Sequence, residues 1–204
     1  MANGALVITA AVEGSLDQAV VQRVVEDMGG ALGPVHGRKG KRYLRDKLSG
    51  FNNAARFSPW VVLVDLDEDA ECAPELRRDW LPQPADRMLF RIAVREVEAW
   101  IFGDPDRLSR FLRVQRGRVP TNPEALMDGK RAMVDLGRLS RSRDIQEDMV
   151  PSPGSGRTVG SGYSSRLSEF VLDRTDGWRP RVSADACNSL RRLLARLSAL
   201  AEGR

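Results

Sequence analysis

One short segment constrains the fold of this chain more than any other, the four apolar residues Val61-Val62-Leu63-Val64. Three of the four are β-branched, and polar positions do not alternate with apolar ones, which is typical of a strand buried on both faces. Such strands occur almost only in parallel sheets that helices cover on both sides. The segment therefore predicts an α/β protein with a mostly parallel, doubly wound sheet.

Strand and helix patterns alternate along the first half of the sequence. Apolar runs predict strands over 5–12, 32–35, 60–64 and 88–94. Helical spacing of apolar residues predicts helices over 15–28, 41–48, 74–80, 98–102 and 104–112, the last with Asp104 as its N-cap. This alternation supports the parallel sheet, because each crossover between parallel strands needs a helix-length connection.

The second half of the sequence lacks strand patterns. Helical spacing predicts helices over 123–139, 164–172 and 184–200, and the Ser-, Gly- and Arg-rich segment 140–162 predicts a mobile loop. We therefore expect an α/β domain over 1–118 and a C-terminal helical extension over 119–204 that packs on the same core.

Two carboxylates, Asp65 and Asp67, follow the apolar run directly. Residues i and i+2 of a strand point the same way, so we expect both side chains to project past its carboxyl end, where α/β sheets bind ligands. Carboxylates held close together repel each other unless a cation or a proton relieves them. Oxygen-rich clusters suit Mg²⁺ or Mn²⁺, so the pair predicts a metal site.

Two other predicted strands also end in acids. Glu13 follows the first strand, and Glu96 and Glu98 follow the last one. The carboxyl ends of parallel strands lie on one edge of the sheet, so these residues predict a single acidic crevice. Asp17 lies in the first turn of the next helix, where the helix dipole favours an acid, and both a structural role and a metal role are open for it.

The segments Val12-Glu13-Gly14-Ser15-Leu16-Asp17 and Val62-Leu63-Val64-Asp65-Leu66-Asp67 resemble the Toprim domain. That domain occurs in bacterial primases, topoisomerases, recombination proteins and the overcoming-lysogenization-defect (OLD) nucleases, and it combines a glutamate after its first strand with a later DxD. The segment Glu96-Val97-Glu98-Ala99-Trp100, together with Asp104, further resembles small bacterial Toprim-like proteins related to the OLD nucleases. The resemblance covers residues 5–105 and implies a Toprim/Rossmann-like fold.

The resemblance also implies Mg²⁺-dependent (or Mn²⁺-dependent) phosphodiester chemistry on nucleic acid. Glu13 would act as general acid/base or as a shared metal ligand. Asp65 and Asp67 would hold the metal. Glu96 or Glu98 would complete a second metal site of the kind that two-metal nucleases use.

Within that superfamily, hydrolysis is the favoured reaction. The sequence has two tyrosines, predicted in a basic helix (Tyr43) and in a loop (Tyr163), and neither is placed for the covalent attack of a topoisomerase. We therefore expect a nuclease that acts on DNA or RNA, in phage defence or DNA repair. The relationship to OLD nucleases implies an ATPase partner encoded separately.

Basic residues provide further candidates. We expect five cations of one segment to bind nucleic acid, namely Arg38, Lys39, Lys41, Arg42 and Arg45, although a solvated loop and helix face is an equally good interpretation. Lys130 is a catalytic candidate, because a cation near the scissile phosphate stabilises charge in the transition state. An ordinary surface lysine is the alternative for Lys130.

Two other functions remain open. One is a Toprim-like module without catalysis that binds nucleic acid or a partner protein. The other is an aspartate-nucleophile phosphatase of the haloacid-dehalogenase type, with Asp65 as nucleophile and Asp67 as acid/base. That family usually has Thr or Val where this chain has Asp69, and it leaves Glu13 without a role.

Composition disfavours other classes of protein. The two cysteines are far apart and the chain has one histidine, so a zinc site is disfavoured. No stretch approaches the length of a membrane span and no leader-like segment is evident, so we expect a cytoplasmic protein. The net charge of +4 permits a polyanionic partner.

Overall fold

Strand β3, Trp60–Asp65, is buried at all six of its positions. The structure, a computed structural model, describes residues 6–202. In it β3 lies inside a four-stranded, all-parallel sheet of order β2-β1-β3-β4, with β1 at Val7–Val12, β2 at Ala31–Gly37 and β4 at Met88–Ala93. The parallel α/β fold is therefore confirmed; Ala5, at the start of the first predicted strand, lies outside the described residues.

Helices cover both faces of this sheet, which explains why β3 has no polar face. Val61 and Leu63 belong to the core that includes helix α1 (Ser15–Asp27). Val62 and Val64 belong to a second core on the opposite face, beneath α2 (Lys41–Ala54) and α3 (Ala73–Trp80). Alternate side chains of one strand thus enter two different apolar layers.

The remaining helices extend the first core. They are α4 (Val97–Phe102), α5 (Pro105–Phe111), α6 (Gly129–Arg138), α7 (Arg143–Met149), α8 (Tyr163–Leu172), α9 (Pro180–Ala186) and α10 (Asn188–Ala201). α8 packs on α1, and α10 packs on β4 and α9. Trp100 and Trp178, both fully buried, belong to this shared core, so the helices after residue 119 share the apolar layer of the sheet.

Three predicted segments of the second half differ from the structure. The helix predicted over 184–200 is divided at Cys187 between α9 and α10. Helix α7 lies inside the predicted loop 140–162, because Ile145 and Met149, four residues apart, are buried against neighbouring helices. The helix predicted over 123–139 is instead a short 3-10 turn followed by α6. Asp128 causes that interruption, since its Oδ1 accepts a hydrogen bond from the N–H of Arg131 at 2.7 Å and thereby caps α6.

Asp104 is the N-cap of α5, as predicted. Its Oδ1 accepts a hydrogen bond from the N–H of Arg107 at 3.4 Å. The same carboxylate, fully buried, also receives two hydrogen bonds from the guanidinium group of Arg179, at 2.8 Å and 2.7 Å. Asp104 therefore connects α5 to the segment before α9 and serves the fold.

Candidate functional site

The strand order creates a topological switch point between β1 and β3. From β1 the chain passes through α1 to β2 on one side, whereas β3 pairs with the other side of β1. Open α/β sheets bind ligands in the crevice at the carboxyl end of such a pair. Glu13 directly follows β1 and Asp65 is the last residue of β3, so both lie at this point.

Glu13 and Asp65 are in direct contact. The Oε1 atom of Glu13 accepts a hydrogen bond from the backbone N–H of Asp65 at 2.9 Å. Burial raises the pKa of Glu13 to about 7, although this hydrogen bond and the charge of Lys41 oppose the change. The two strand ends are thus linked through a half-buried carboxylate.

Asp65 is the centre of the acidic cluster. Its side chain is buried, and its Oδ1 accepts a hydrogen bond from the N–H of Val97 at 3.0 Å, in the first turn of α4. Burial raises the pKa of Asp65 well above its usual range, and the negative charges of Asp17 and Glu98 raise it further. The positive charge of Lys130 opposes this increase.

Lys130 supplies a positive charge from the first turn of α6. Its Nζ atom donates a hydrogen bond to Glu96 Oε1 at 2.7 Å and lies 3.8 Å from Asp65 Oδ2. Its backbone N–H donates to the other oxygen of Glu96 at 2.9 Å. Burial lowers the pKa of Lys130, but the charges of Glu98, Glu96 and Asp65 outweigh this effect and raise it above the ordinary value. The structure therefore brings this lysine to the acidic cluster.

Glu98 lies beneath the cluster and is only 1% exposed. The hydroxyl of Tyr163 donates a hydrogen bond to its Oε1 at 3.0 Å, while the buried Oε2 has no partner among the described residues. Burial raises the pKa of Glu98 to about 7. Tyr163 was predicted to lie in a loop, but it is buried at the start of α8. Only its neighbour Leu167, four residues on, indicates from the sequence that Tyr163 belongs to a buried helix face.

Asp17 combines a structural contact with an unpartnered oxygen. Its Oδ2 accepts a hydrogen bond from the N–H of Gly14 at 2.7 Å, which stabilises the start of α1. Its Oδ1 is buried and has no partner among the described residues. Burial raises the pKa of Asp17. Asp17 therefore has the structural role at the start of α1 that the sequence allowed, and this role uses only one of its two carboxylate oxygens.

Asp67 lies beyond the end of β3. The strand ends at Asp65, and Asp67 lies on the following turn with a left-handed φ of 47°, so strand geometry no longer orients its side chain. The ammonium group of Lys41 holds it, with Nζ 2.6 Å from Asp67 Oδ2 and 2.6 Å from Asp69 Oδ2. The strand periodicity on which the expectation of a shared direction rested therefore ends at Asp65.

The five cations predicted to bind nucleic acid have different surroundings. Lys41 is engaged by Asp67 and Asp69, as described, and Arg45 lies 3.4 Å from Asp79 and over the ring of Trp80. The others are exposed beside the crevice and form no ion pair within residues 6–202: Arg38, Lys39 and Arg42. The N–H of Arg38 donates to the carbonyl of Val12 at 2.8 Å, so the loop before α2 is tied to the end of β1.

The donor atoms of the cluster suit a hard cation. Carboxylate oxygens are the ligands that Mg²⁺ and Mn²⁺ prefer, and two buried ones, Asp17 Oδ1 and Glu98 Oε2, lack a partner among residues 6–202. Within the described part of the chain, however, no three acids, histidines or cysteines lie close enough together to share one ion. Mg²⁺ commonly binds through one or two carboxylates and keeps several waters, so the residues fit such an ion and do not form a closed cage.

Comparison with known proteins returned no match to this chain, whether among protein-family models, curated proteins or solved structures. Within residues 6–202, no helix is long and apolar enough to cross a membrane. The chemistry of the site therefore rests on its own residues.

Tyr163→Phe tests the contact beneath the cluster. We expect the free energy of unfolding to fall by about 1 kcal/mol, because the buried Glu98 loses a hydrogen-bond donor. Urea unfolding measures this change, with Tyr43→Phe as the matched control, since the Tyr43 hydroxyl forms no hydrogen bond within the described residues. Equal losses in the two variants would contradict a specific role for Tyr163.

Proposed function

We propose that this protein hydrolyses phosphodiester bonds of nucleic acid in a Mg²⁺- or Mn²⁺-dependent reaction. The single observation that carries the proposal is the junction of Glu13 and Asp65 at the switch point of the sheet, with the Lys130 ammonium group beside them. Acids and a cation converge there from three separate parts of the chain. The sequence resemblance to Toprim nucleases supports the same chemistry.

Glu13 and Asp65 are the residues that would hold the ion. When bound, the ion neutralises charge on a phosphate and lowers the pKa of an attacking water. One carboxylate oxygen of Glu13 accepts the hydrogen bond from the N–H of Asp65. The other oxygen of Glu13 would then bind the ion or take the proton of a water. Asp65 is fixed in orientation by the N–H of Val97, so its second oxygen faces Lys130.

Lys130 would contact the substrate phosphate. Its side chain is 42% exposed while Glu96 and Asp65 position its ammonium group. A positioned cation stabilises the negative charge that develops on a phosphate during hydrolysis. The cationic loop and helix start beside the crevice, Arg38, Lys39 and Arg42, would bind neighbouring phosphates of the strand.

The biological setting belongs to the same proposal. A nuclease of this kind acts in phage defence or DNA repair in the cytoplasm, with an ATPase partner encoded separately. The cleft favours no particular substrate, so DNA and RNA are both tested.

A cleavage assay tests the proposed reaction. Purified protein is incubated with plasmid, single-stranded DNA and RNA, in Mg²⁺, in Mn²⁺ and in a chelator. We expect metal-dependent cleavage that falls about tenfold or more in Glu13→Gln, because the variant keeps the hydrogen-bond acceptor and loses the charge. Glu147→Gln, which changes an exposed acid of α7, is the matched control. Absence of cleavage of every substrate with both metals, or equal rates in both variants, would overturn the proposal.

A module that binds without catalysis is the second candidate. The observation that favours it is that Lys41 and Lys130 already neutralise Asp67, Asp69 and Glu96. Such a module needs no divalent ion. Calorimetric titration with Mn²⁺ separates the two candidates: a site that is lost in Asp65→Asn supports the enzyme, and no heat of binding supports the module.

A further inference from the structure

A second charged site lies at the outer side of β4. A cavity of about 510 Å³ opens there between helices α3 and α10. Its walls carry arginines from three elements, Arg77 of α3, Arg91 of β4 and Arg192 of α10, and Arg95 lies at its end. It is lined by none of the acids of the crevice, so it is a separate feature of the surface.

Arg91 is the most unusual of these residues. It is half-buried, and its Nε atom is completely buried with no hydrogen-bond partner among the described residues. Its guanidinium group makes one long hydrogen bond, from NH1 to the carbonyl of Phe90 at 3.5 Å. A buried polar group without a partner is costly, so the protein bears this cost beside the cavity that Arg91 lines.

The arginines around Arg91 lack an acidic partner in the described part of the chain. Arg77, Arg91, Arg192 and the nearby Arg196 form no ion pair within residues 6–202. Burial, followed by the charges of Arg77, Arg196 and Arg192, lowers the pKa of Arg91 to about 10, which leaves its guanidinium charged at neutral pH. Arg77, Arg91 and Arg192 line the cavity and, with Arg196 nearby, repel one another, so an anion bound there would relieve this repulsion.

The acids in the same wall do not supply that anion. Glu124 is already engaged at the start of α10, where its carboxylate accepts the N–H groups of Asn188 and Ser189, both at 2.9 Å. Glu71 is exposed at the rim and makes no ion pair with these arginines. The cavity keeps a positive excess.

We infer that this cavity binds a phosphate group, carried either by a small phosphorylated molecule or by a nucleic-acid strand. Guanidinium groups are planar and offer paired N–H donors that match the oxygens of phosphate. Arg91 would contact the phosphate from the floor, while Arg77 and Arg192 would close on it from the two helices. The inference requires neither metal nor hydrolysis, so it stands independently of the proposed nuclease activity.

Calorimetry in the presence of a chelator tests the site, with inorganic pyrophosphate and a short single-stranded oligonucleotide as probes. The double variant Arg77→Ala/Arg192→Ala removes two exposed lining cations. Its matched control is Arg78→Ala/Arg191→Ala, which removes the same charge from adjacent positions of the same two helices outside the cavity. Arg91→Met is a third variant that probes the floor.

We expect Kd for at least one probe to rise about tenfold or more in the lining double variant and to change little in the control. If the lining double variant loses pyrophosphate binding, the site takes a small phosphorylated ligand. If it loses only oligonucleotide binding, the site takes a nucleic-acid strand. Either result supports the phosphate site. Equal effects in the two double variants, or no binding of either probe by the wild type, would overturn it. Because the exposed double variant does not disturb the core, the test remains decisive if Arg91→Met fails to fold.

Discussion

Asp65→Asn is expected to lower the rate of metal-dependent cleavage by about a hundredfold or more while it makes the protein more stable. The rate falls because an amide cannot replace a carboxylate as ligand of a divalent ion. The fold survives because the amide oxygen still accepts the hydrogen bond from the N–H of Val97. No other single change at the crevice is expected to reduce activity as far.

The gain in stability has a separate cause. Burial and the neighbouring charges of Asp17 and Glu98 raise the pKa of Asp65, so its ionised form is unfavourable in the folded protein. Removal of that charge is expected to raise the free energy of unfolding at about pH 8 by about 1 kcal/mol. Activity and stability would then move in opposite directions, as happens where a site stores unfavourable charge for function.

Paired measurements of cleavage rate and urea unfolding in a chelator check this result. Asp67→Asn is the matched control. Asp67 lies on the turn that follows β3, is half-exposed and forms an ion pair with Lys41. We expect a smaller effect on both quantities there. An Asp65 variant that cleaves at the wild-type rate would exclude this residue from the metal site.

Lys130→Met is expected to give the largest loss of stability among the variants at the crevice. The methionine keeps the length of the side chain and removes the positive charge that faces Glu96, Asp65 and Glu98. At about pH 8 the free energy of unfolding should fall by about 2 kcal/mol. This loss of stability is smaller than the loss expected for a fully buried ion pair, because the Lys130 side chain is 42% exposed.

The loss caused by Lys130→Met should depend on pH. Burial raises the pKa of Glu98 in the folded state to about 7 from an ordinary value of 4.5, and removal of the lysine raises it further. The folded state then holds a proton that the unfolded state has released, so stability falls as pH rises from about 4.5 through about 7 and above. Near pH 5 the acid is protonated in the folded protein, and the difference from the wild type should shrink.

Urea unfolding at about pH 5 and about pH 8, in a chelator, measures the effect of Lys130→Met. Arg131→Met is the matched control, because it removes a cation from the next position of α6 where the side chain is exposed. A loss in Lys130→Met that is the same at both pH values would show that the lysine contributes packing rather than charge.

The sequence carried enough information to predict the sheet and the part of the molecule where the acids meet. A run such as 61–64 is apolar at every position only if both faces are covered, which requires a parallel sheet with helices on each side. The ends of parallel strands share one edge, so the proximity of Glu13 to Asp65 followed from topology alone.

What the sequence could not predict depends on contacts between distant segments. Tyr163 contacts Glu98, which is 65 residues away in the sequence, and Lys41 contacts Asp67, which is 26 residues away. Helix and strand periodicity relates only residues that are a few positions apart. The arginine cavity combines residues of α3, β4 and α10 in the same way. The helix inside 140–162 was missed because it buries only two apolar residues, Ile145 and Met149.

The two-sided burial of β3 has a consequence for how the strands find their alignment. A shift of β3 by one position moves every side chain to the other face, and in most strands this places polar groups in the core. Between Val61 and Val64 such a shift exchanges one apolar residue for another, so these residues discriminate poorly between alignments. Asp65 does discriminate, because the shift would carry its carboxylate into the fully buried position of Val64 and away from Glu13. The acid that centres the crevice thus also disfavours a shifted register of β3.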